Sequence, residues 1–138
     1  MEAEIVAQGG GDATPQLQAA IRANMQYMGV PSDQINLYLQ GITSGNLARV
    51  MEEKYKGVYP NSRVAWSDYR RTGLPALSVP SDASGDFYNG PVSDIPQRFI
   101  YPESEFLYNL ENVQEAAERQ GFLNGGQEAL NATLPVFK

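Results

Sequence analysis

The sequence predicts an all-α fold, and three observations carry that prediction. Apolar residues recur at helical intervals through most of residues 1–72 and again from residue 102 onward. Capping residues precede these stretches, and glycine or proline ends them. The region without that pattern, 73–101, holds four of the nine prolines (Pro75, Pro80, Pro91 and Pro96). A regular helix cannot persist through that density of breakers, so 73–101 reads as a long irregular loop. The chain is expected to form a single domain of three parts: helical 1–72, the Pro/Gly-rich loop, and helical 102–131.

Residues 1–8 are rich in helix formers but too few to be stable alone. They read as the last turns of a helix whose start is missing, halted by Gly9-Gly10-Gly11. Thr14 can then cap a helix with Pro15 at its first position. Leu17, Ile21, Met25 and Met28 share one face, Gly29 suits a left-handed stop, and Pro31 blocks extension. Ser32 to about Gln40 gives a shorter helix with Ile35, Leu37, Tyr38 and Leu39 as a broad apolar surface. Gly41–Gly45 interrupts it. Asn46–Lys56 follows, with Leu47, Val50, Met51 and Tyr55 on one side. After the turn Gly57-Val58-Tyr59-Pro60, Asn61 can cap a helix through Arg70 or Arg71. Such short connections favour antiparallel neighbours, and the pairing is compatible with a helical repeat.

Within 73–101, Leu77–Val79 and Arg98–Ile100 are extended enough to form a small β-hairpin, although the strand signal is weak. A last long helix begins near Pro102, with Glu103 and Glu105 complementing the helix dipole in its first turn. Phe106, Leu110, Val113 and Ala117 are its expected buried face, and Gly121 ends it. The tail suggests one more short helix around Gln127–Asn131.

Composition narrows the chemistry. Hydrophobic residues make up 42% and charged residues 19% of the 138, which suits a chain able to bury a core. A net charge of −6, with the basic residues scattered, argues against nucleic acid as a partner. With no cysteine there is no disulfide, thiol nucleophile or thiolate metal site. With no histidine, the usual general base and the commonest metal ligand are both missing. No apolar run approaches the roughly 20 residues that span a bilayer, and Met1-Glu2-Ala3-Glu4 lacks the features of a signal peptide.

Four features could carry function. Arg70 and Arg71 end the helix before Gly73-Leu74-Pro75; a guanidinium pair can grip an acidic ligand, but cations also suit helix C-termini, where one can reach a carboxylate or the orphan carbonyls and the other face solvent. Arg98, hemmed by Pro96 and Pro102, reads as a loop staple. Trp66, Phe87 and Tyr88 offer flat faces of the kind that bind ligands, with Phe87-Tyr88 lying in a polar loop that provides no obvious core partner. Asp82-x-Ser84-x-Asp86 resembles the start of a calcium loop, but its glycine is misplaced and no glutamate occupies the twelfth position. No cofactor is expected, with calcium at this loop as the minor alternative. Glu52-Glu53 diverge on a helix and Glu103/Glu105 are dipole partners, so neither pair forms a hydrolytic dyad. Nothing here makes a catalytic constellation.

Several blocks in order resemble the C-terminal part of SusD/RagB-type outer-membrane lipoproteins. The most specific is Ala65-Trp66-Ser67-Asp68-Tyr69-Arg70-Arg71-Thr72-Gly73-Leu74-Pro75. Ile95-Pro96-Gln97-Arg98, Tyr101-Pro102-Glu103-Ser104-Glu105 and Asn109-Leu110-Glu111-Asn112 extend it. The resemblance implies tetratricopeptide-like helix pairs with an irregular ligand-binding face. It implies a lipid-tethered position on the extracellular side of the outer membrane in Bacteroidetes, with no catalysis. It further implies capture of glycans, or in some branches peptides, for a SusC-like TonB-dependent transporter. This chain would be the C-terminal fragment of such a protein, mainly scaffold, and dimerisation of the isolated piece is an expectation. In that reading Phe87, Tyr88 and Trp66 contact ligand, while Asp68, Arg70, Arg71 and Arg98 are structural. The alternative is a helical protein–protein interaction module that binds no carbohydrate.

Overall fold

The computed structural model describes residues 2–79 and 95–121. These residues form seven helices and no strand: α1 (Glu2–Gln8), α2 (Thr14–Tyr27), α3 (Ser32–Gln40), α4 (Leu47–Gly57), α5 (Ser62–Thr72), α6 (Glu103–Tyr108) and α7 (Leu110–Gln120). The chain divides into two compact units, Met1–Ala76 and Leu77–Lys138.

In the first unit α2 is the central element, packing on α1, α3 and α4, while α1 also packs on α4. Its core is Ala3, Ala13, Leu17, Ile21, Ile35, Leu39, Ile42 and Val50, with Val6, Ala7, Met25 and Val30 packed against it. Leu17 and Ile21 on α2, and Ile35 and Leu39 on α3, are each four residues apart, so each helix presents one stripe to the other elements. Each such side chain contributes roughly 1.5–3 kcal/mol on burial. The α2 stripe stops earlier than its spacing suggests. Met28 is 70% exposed, because α2 ends at Tyr27 and Gly29 turns the backbone away at φ 78°. Leu37 on α3 likewise faces out, since the Ile35/Leu39 stripe leaves it on the far side.

Local chemistry sets the helix ends. Asn46 accepts a hydrogen bond from Arg49 N at 2.9 Å, capping α4, and Asn61 accepts from Val64 N to cap α5. At α2 the expected cap, Thr14, is instead the first helical residue, and the N-cap position falls to Ala13, which makes no side-chain cap. The Asp12 carboxylate accepts from Thr14 N at 3.0 Å and from the Thr14 hydroxyl, so a charged acceptor wins the orphan N–H. Gly45 lies against this same corner. A Cβ there would fall 2.1 Å from Thr14 N and 2.3 Å from the Ala13 carbonyl carbon. Only glycine lets the α3–α4 loop approach α2 so closely. Gln18 Nε2 donates to Ile42 O at 2.9 Å and fixes that loop from the other side. Gly73, at φ 68°, closes α5 in the left-handed conformation.

The second unit departs from expectation in two places. The single helix expected from Pro102 to Gly121 is two, broken at Asn109, whose backbone sits at φ −146°, ψ 32°. The Asn109 side chain sits at the junction. Its Nδ2 donates to Glu105 Oε2 at 3.0 Å and its Oδ1 accepts from Asn112 Nδ2, side-chain bonds that link the end of α6 to the start of α7. Leu110 is consequently 46% exposed, while Val113 and Ala117 are buried and Phe106 is half-buried. The expected hairpin is also not formed, as neither 77–79 nor 98–100 is a strand. Prolines near both stretches remove backbone donors that a ladder would need. The expected helix at 127–131 lies outside the described residues.

Candidate functional site

Four short helices of the first unit bring their polar residues to one region. Lys54 on α4 donates to Glu4 Oε2 of α1 at 2.9 Å and lies 2.8 Å from Asp68 Oδ2 of α5. Arg71, one helical turn beyond Asp68, reaches Asp68 Oδ1 at 2.9 Å and also Glu4 Oε1. Two carboxylates and two cations thus alternate around a closed ring that ties α1, α4 and α5 together. Burial pushes the Glu4 and Asp68 carboxyls up, but the hydrogen bonds and charges of Lys54 and Arg71 outweigh it and hold both below the usual carboxylate range. Burial also acts to lower the Lys54 ammonium, yet its two carboxylate partners raise it.

A second cluster surrounds Glu53, which is only 8% exposed. The Tyr38 hydroxyl of α3 lies 2.9 and 3.1 Å from its two oxygens and donates to them. Lys56 Nζ is 2.8 Å away and Arg49 Nη2 3.0 Å. Glu52, its neighbour in sequence, is half-buried and pairs with Arg49 at 3.3 Å and Lys56 at 3.0 Å. Burial works against the Lys56 charge, but Glu53, Glu52 and Tyr38 together drive its affinity for the proton far up.

Between the two clusters lies a cavity of about 350 Å³ bounded by α1, α2, α3 and α4. Its apolar wall includes Ala3, Leu17, Ala20, Ile21, Met25 and Val50. Its polar lining is Glu4, Asn24, Tyr38, Glu53, Lys54 and Lys56.

The residues singled out from sequence fall in different places. Asp68 and Arg71 meet in the ring. Arg70 turns instead to Trp66, its guanidinium carbon 4.6 Å from the ring centroid, so a cation occupies one face of the indole. In the second unit Arg98 stacks over Tyr101 at 4.9 Å, donates from Nε to Phe99 O at 3.2 Å and reaches Gln120 Oε1 of α7. Gln120 Nε2 in turn donates to the Tyr101 hydroxyl at 3.1 Å. The hydrogen bond from Arg98, with that from Gln120, depresses the Tyr101 phenol. Phe87 and Tyr88, and the Asp82/Ser84/Asp86 loop, lie outside the described residues. Sequence reasoning passed over Glu4, Lys54 and the Tyr38–Glu53 pair. Glu4 and Lys54 are 50 positions apart, and no local pattern marks such a contact.

Among the described residues, no group of three or more histidine, cysteine, aspartate or glutamate side chains could hold a metal ion. No described helix is long and apolar enough to cross a membrane. Residues 18–132 match the family model of SusD-like proteins, described as the SusD and RagB outer-membrane lipoproteins. The chain belongs to the SusD-like family. No curated protein and no solved structure matches the chain. The matched span begins inside α2 and contains Lys54, Asp68, Arg71 and Arg98, whereas Glu4 precedes it. SusD-like proteins are binding proteins of the outer membrane that serve nutrient uptake, and they generally work with SusC-like transporters.

Proposed function

We propose that this SusD-like chain serves non-catalytic nutrient capture at the outer membrane. The nutrient is a glycan or a peptide, and the receiving partner is a SusC-like TonB-dependent transporter. The chain acts chiefly as scaffold: the C-terminal portion of a lipid-tethered surface protein, with helix pairs of tetratricopeptide-like type. The family match over residues 18–132 carries this reading. The ion clusters support the scaffold role, because each buried carboxylate is held by cations from its own or a neighbouring helix. Such satisfied pairs brace a fold. Asp68 and Arg71 are braces of the first unit, Arg70 a support for Trp66, and Arg98 a staple of the second. Phe87 and Tyr88, with Trp66, are the proposed ligand contacts.

Isothermal titration against a panel of oligosaccharides and peptides tests the capture role. The surface protein carrying this chain is expected to give a saturable heat with at least one of them, and the ligand is recovered chemically intact. Continuing heat with cleaved product would overturn the non-catalytic reading. Flat heats across the panel would overturn capture.

A further inference from the structure

We propose that the cavity between α1, α2, α3 and α4 is a site for an uncharged small molecule. That ligand has an aromatic or branched-alkyl body and one hydrogen-bonding end. The proposal goes beyond glycan or peptide capture and does not depend on it.

Charge is the first argument. The four ionised residues lining the cavity are Glu4, Glu53, Lys54 and Lys56, two of each sign. Each is already answered: Glu4 by Lys54 and Arg71, Glu53 by Arg49, Lys56 and Tyr38. A charged ligand would gain a partner only by breaking one of these pairs, whose carboxylates Glu4 and Glu53 are buried, and would surrender its own hydration besides. An uncharged ligand disturbs none of them.

Wall chemistry is the second argument. Leu17, Ile21 and Val50 are core residues, fixed by packing behind the cavity, so the apolar wall exists before any ligand arrives. A sugar carries hydroxyls around its whole rim, and inside an apolar cavity these would lose water without replacement. The aromatic ring lining the cavity is Tyr38, and its hydroxyl is committed to Glu53. A ring or branched alkyl group meets the wall without that loss.

The polar end has a counterpart. The Asn24 carboxamide lines the cavity from the last turns of α2, and its residue is exposed to solvent. It can both donate to and accept from a ligand N–H or O–H at the mouth. The ion pair Glu4–Lys54 across α1 and α4, and the hydrogen bond from Tyr38 to Glu53 across α3 and α4, hold the walls at fixed spacing.

Indole is the probe: an uncharged ring with one N–H. Amide chemical-shift titration of the full 138-residue chain is expected to show saturable shifts at Leu17, Ile21 and Val50. Glucose should produce none, and benzoate, a charged ring of similar size, should bind more weakly than indole. Ala20→Trp fills the cavity from the exposed side of α2 and should weaken indole binding by about tenfold or more. Asn24→Ala should weaken it several-fold and leave the wall intact. Met25→Trp provides the same filling test should Ala20→Trp fail to fold. Absence of saturable shifts up to the solubility limit of indole would overturn the proposal. So would indole binding unchanged by a folded filling variant, or benzoate binding as tightly as indole.

Discussion

Replacing Lys54 by methionine removes the cation shared by two carboxylates and leaves the aliphatic stem in place. Lys54 sits 2.9 Å from Glu4 and 2.8 Å from Asp68. At an effective dielectric of about 20, a unit-charge pair at that distance attracts by roughly 6 kcal/mol before solvation is counted. Desolvation offsets most of that attraction. Breaking a fully buried pair costs about 3–5 kcal/mol, whereas a surface pair contributes roughly 0–1 kcal/mol. The Lys54 side chain is 23% exposed and Glu4 and Asp68 are 9% and 14% exposed, so the ring lies between those limits. Arg71 still faces both carboxylates after the change, which softens the loss. The expected destabilisation at pH 7 is therefore about 2–3 kcal/mol, or roughly 8–12 °C in melting temperature. Trp66, the single tryptophan, sits on α5 and reports unfolding of the first unit by fluorescence in urea. The pH dependence follows from the folded carboxyls lying below their ordinary values of 4.5 for Glu4 and 3.8 for Asp68. Stability from a depressed carboxyl is complete above the unfolded value and is lost as pH falls through the folded one. The deficit of Lys54→Met should thus persist from neutral pH down to about pH 5 and shrink as the two carboxyls protonate below it. A loss under about 0.5 kcal/mol at pH 7, or a deficit of equal size in acid, would refute the ring as a brace.

Other substitutions probe the local rules. Gly45→Ala forces a methyl group into the Ala13–Thr14 backbone and should cost about 3 kcal/mol or more, or prevent folding; an unchanged urea midpoint would contradict the close approach. Asn46→Ala removes the α4 cap and should cost about 1 kcal/mol, whereas Asn46→Asp should retain most of the stability. Asn109→Ala should lengthen helical structure across the α6–α7 break, which far-ultraviolet circular dichroism would register as increased helicity.

How far the sequence carried can be judged element by element. The buried parts of the α2 and α3 stripes (Leu17 and Ile21, Ile35 and Leu39), the Asn61 cap and the stops at Gly10, Gly29, Gly73 and Gly121 were legible because each depends on neighbours within one or two turns. The Asn109 break was not, since Phe106, Leu110, Val113 and Ala117 keep helical spacing straight through it. Periodicity cannot register a change of backbone dihedrals at a single polar position. Of the site, the Asp68–Arg71 contact is of a kind that sequence can show, because the two stand three residues apart on one helix and such neighbours meet. Glu4 and Lys54 could not, because their partnership is a product of tertiary packing. Glu53 drew notice in the sequence only as one of two consecutive glutamates diverging on a helix. Its burial follows from Tyr38, Arg49 and Lys56 converging on it, and two of those three lie on the same helix. The cavity was invisible from sequence for the same reason: its walls come from four separate helices.

The account centres on capture for a transporter, and isolation of the native protein from its own outer membrane tests that most directly. Solubilised gently and identified by mass spectrometry, the surface protein carrying this chain should come away with a TonB-dependent transporter in fixed stoichiometry. Recovery of the intact lipoprotein in quantity with no such transporter at any detergent strength would contradict the account.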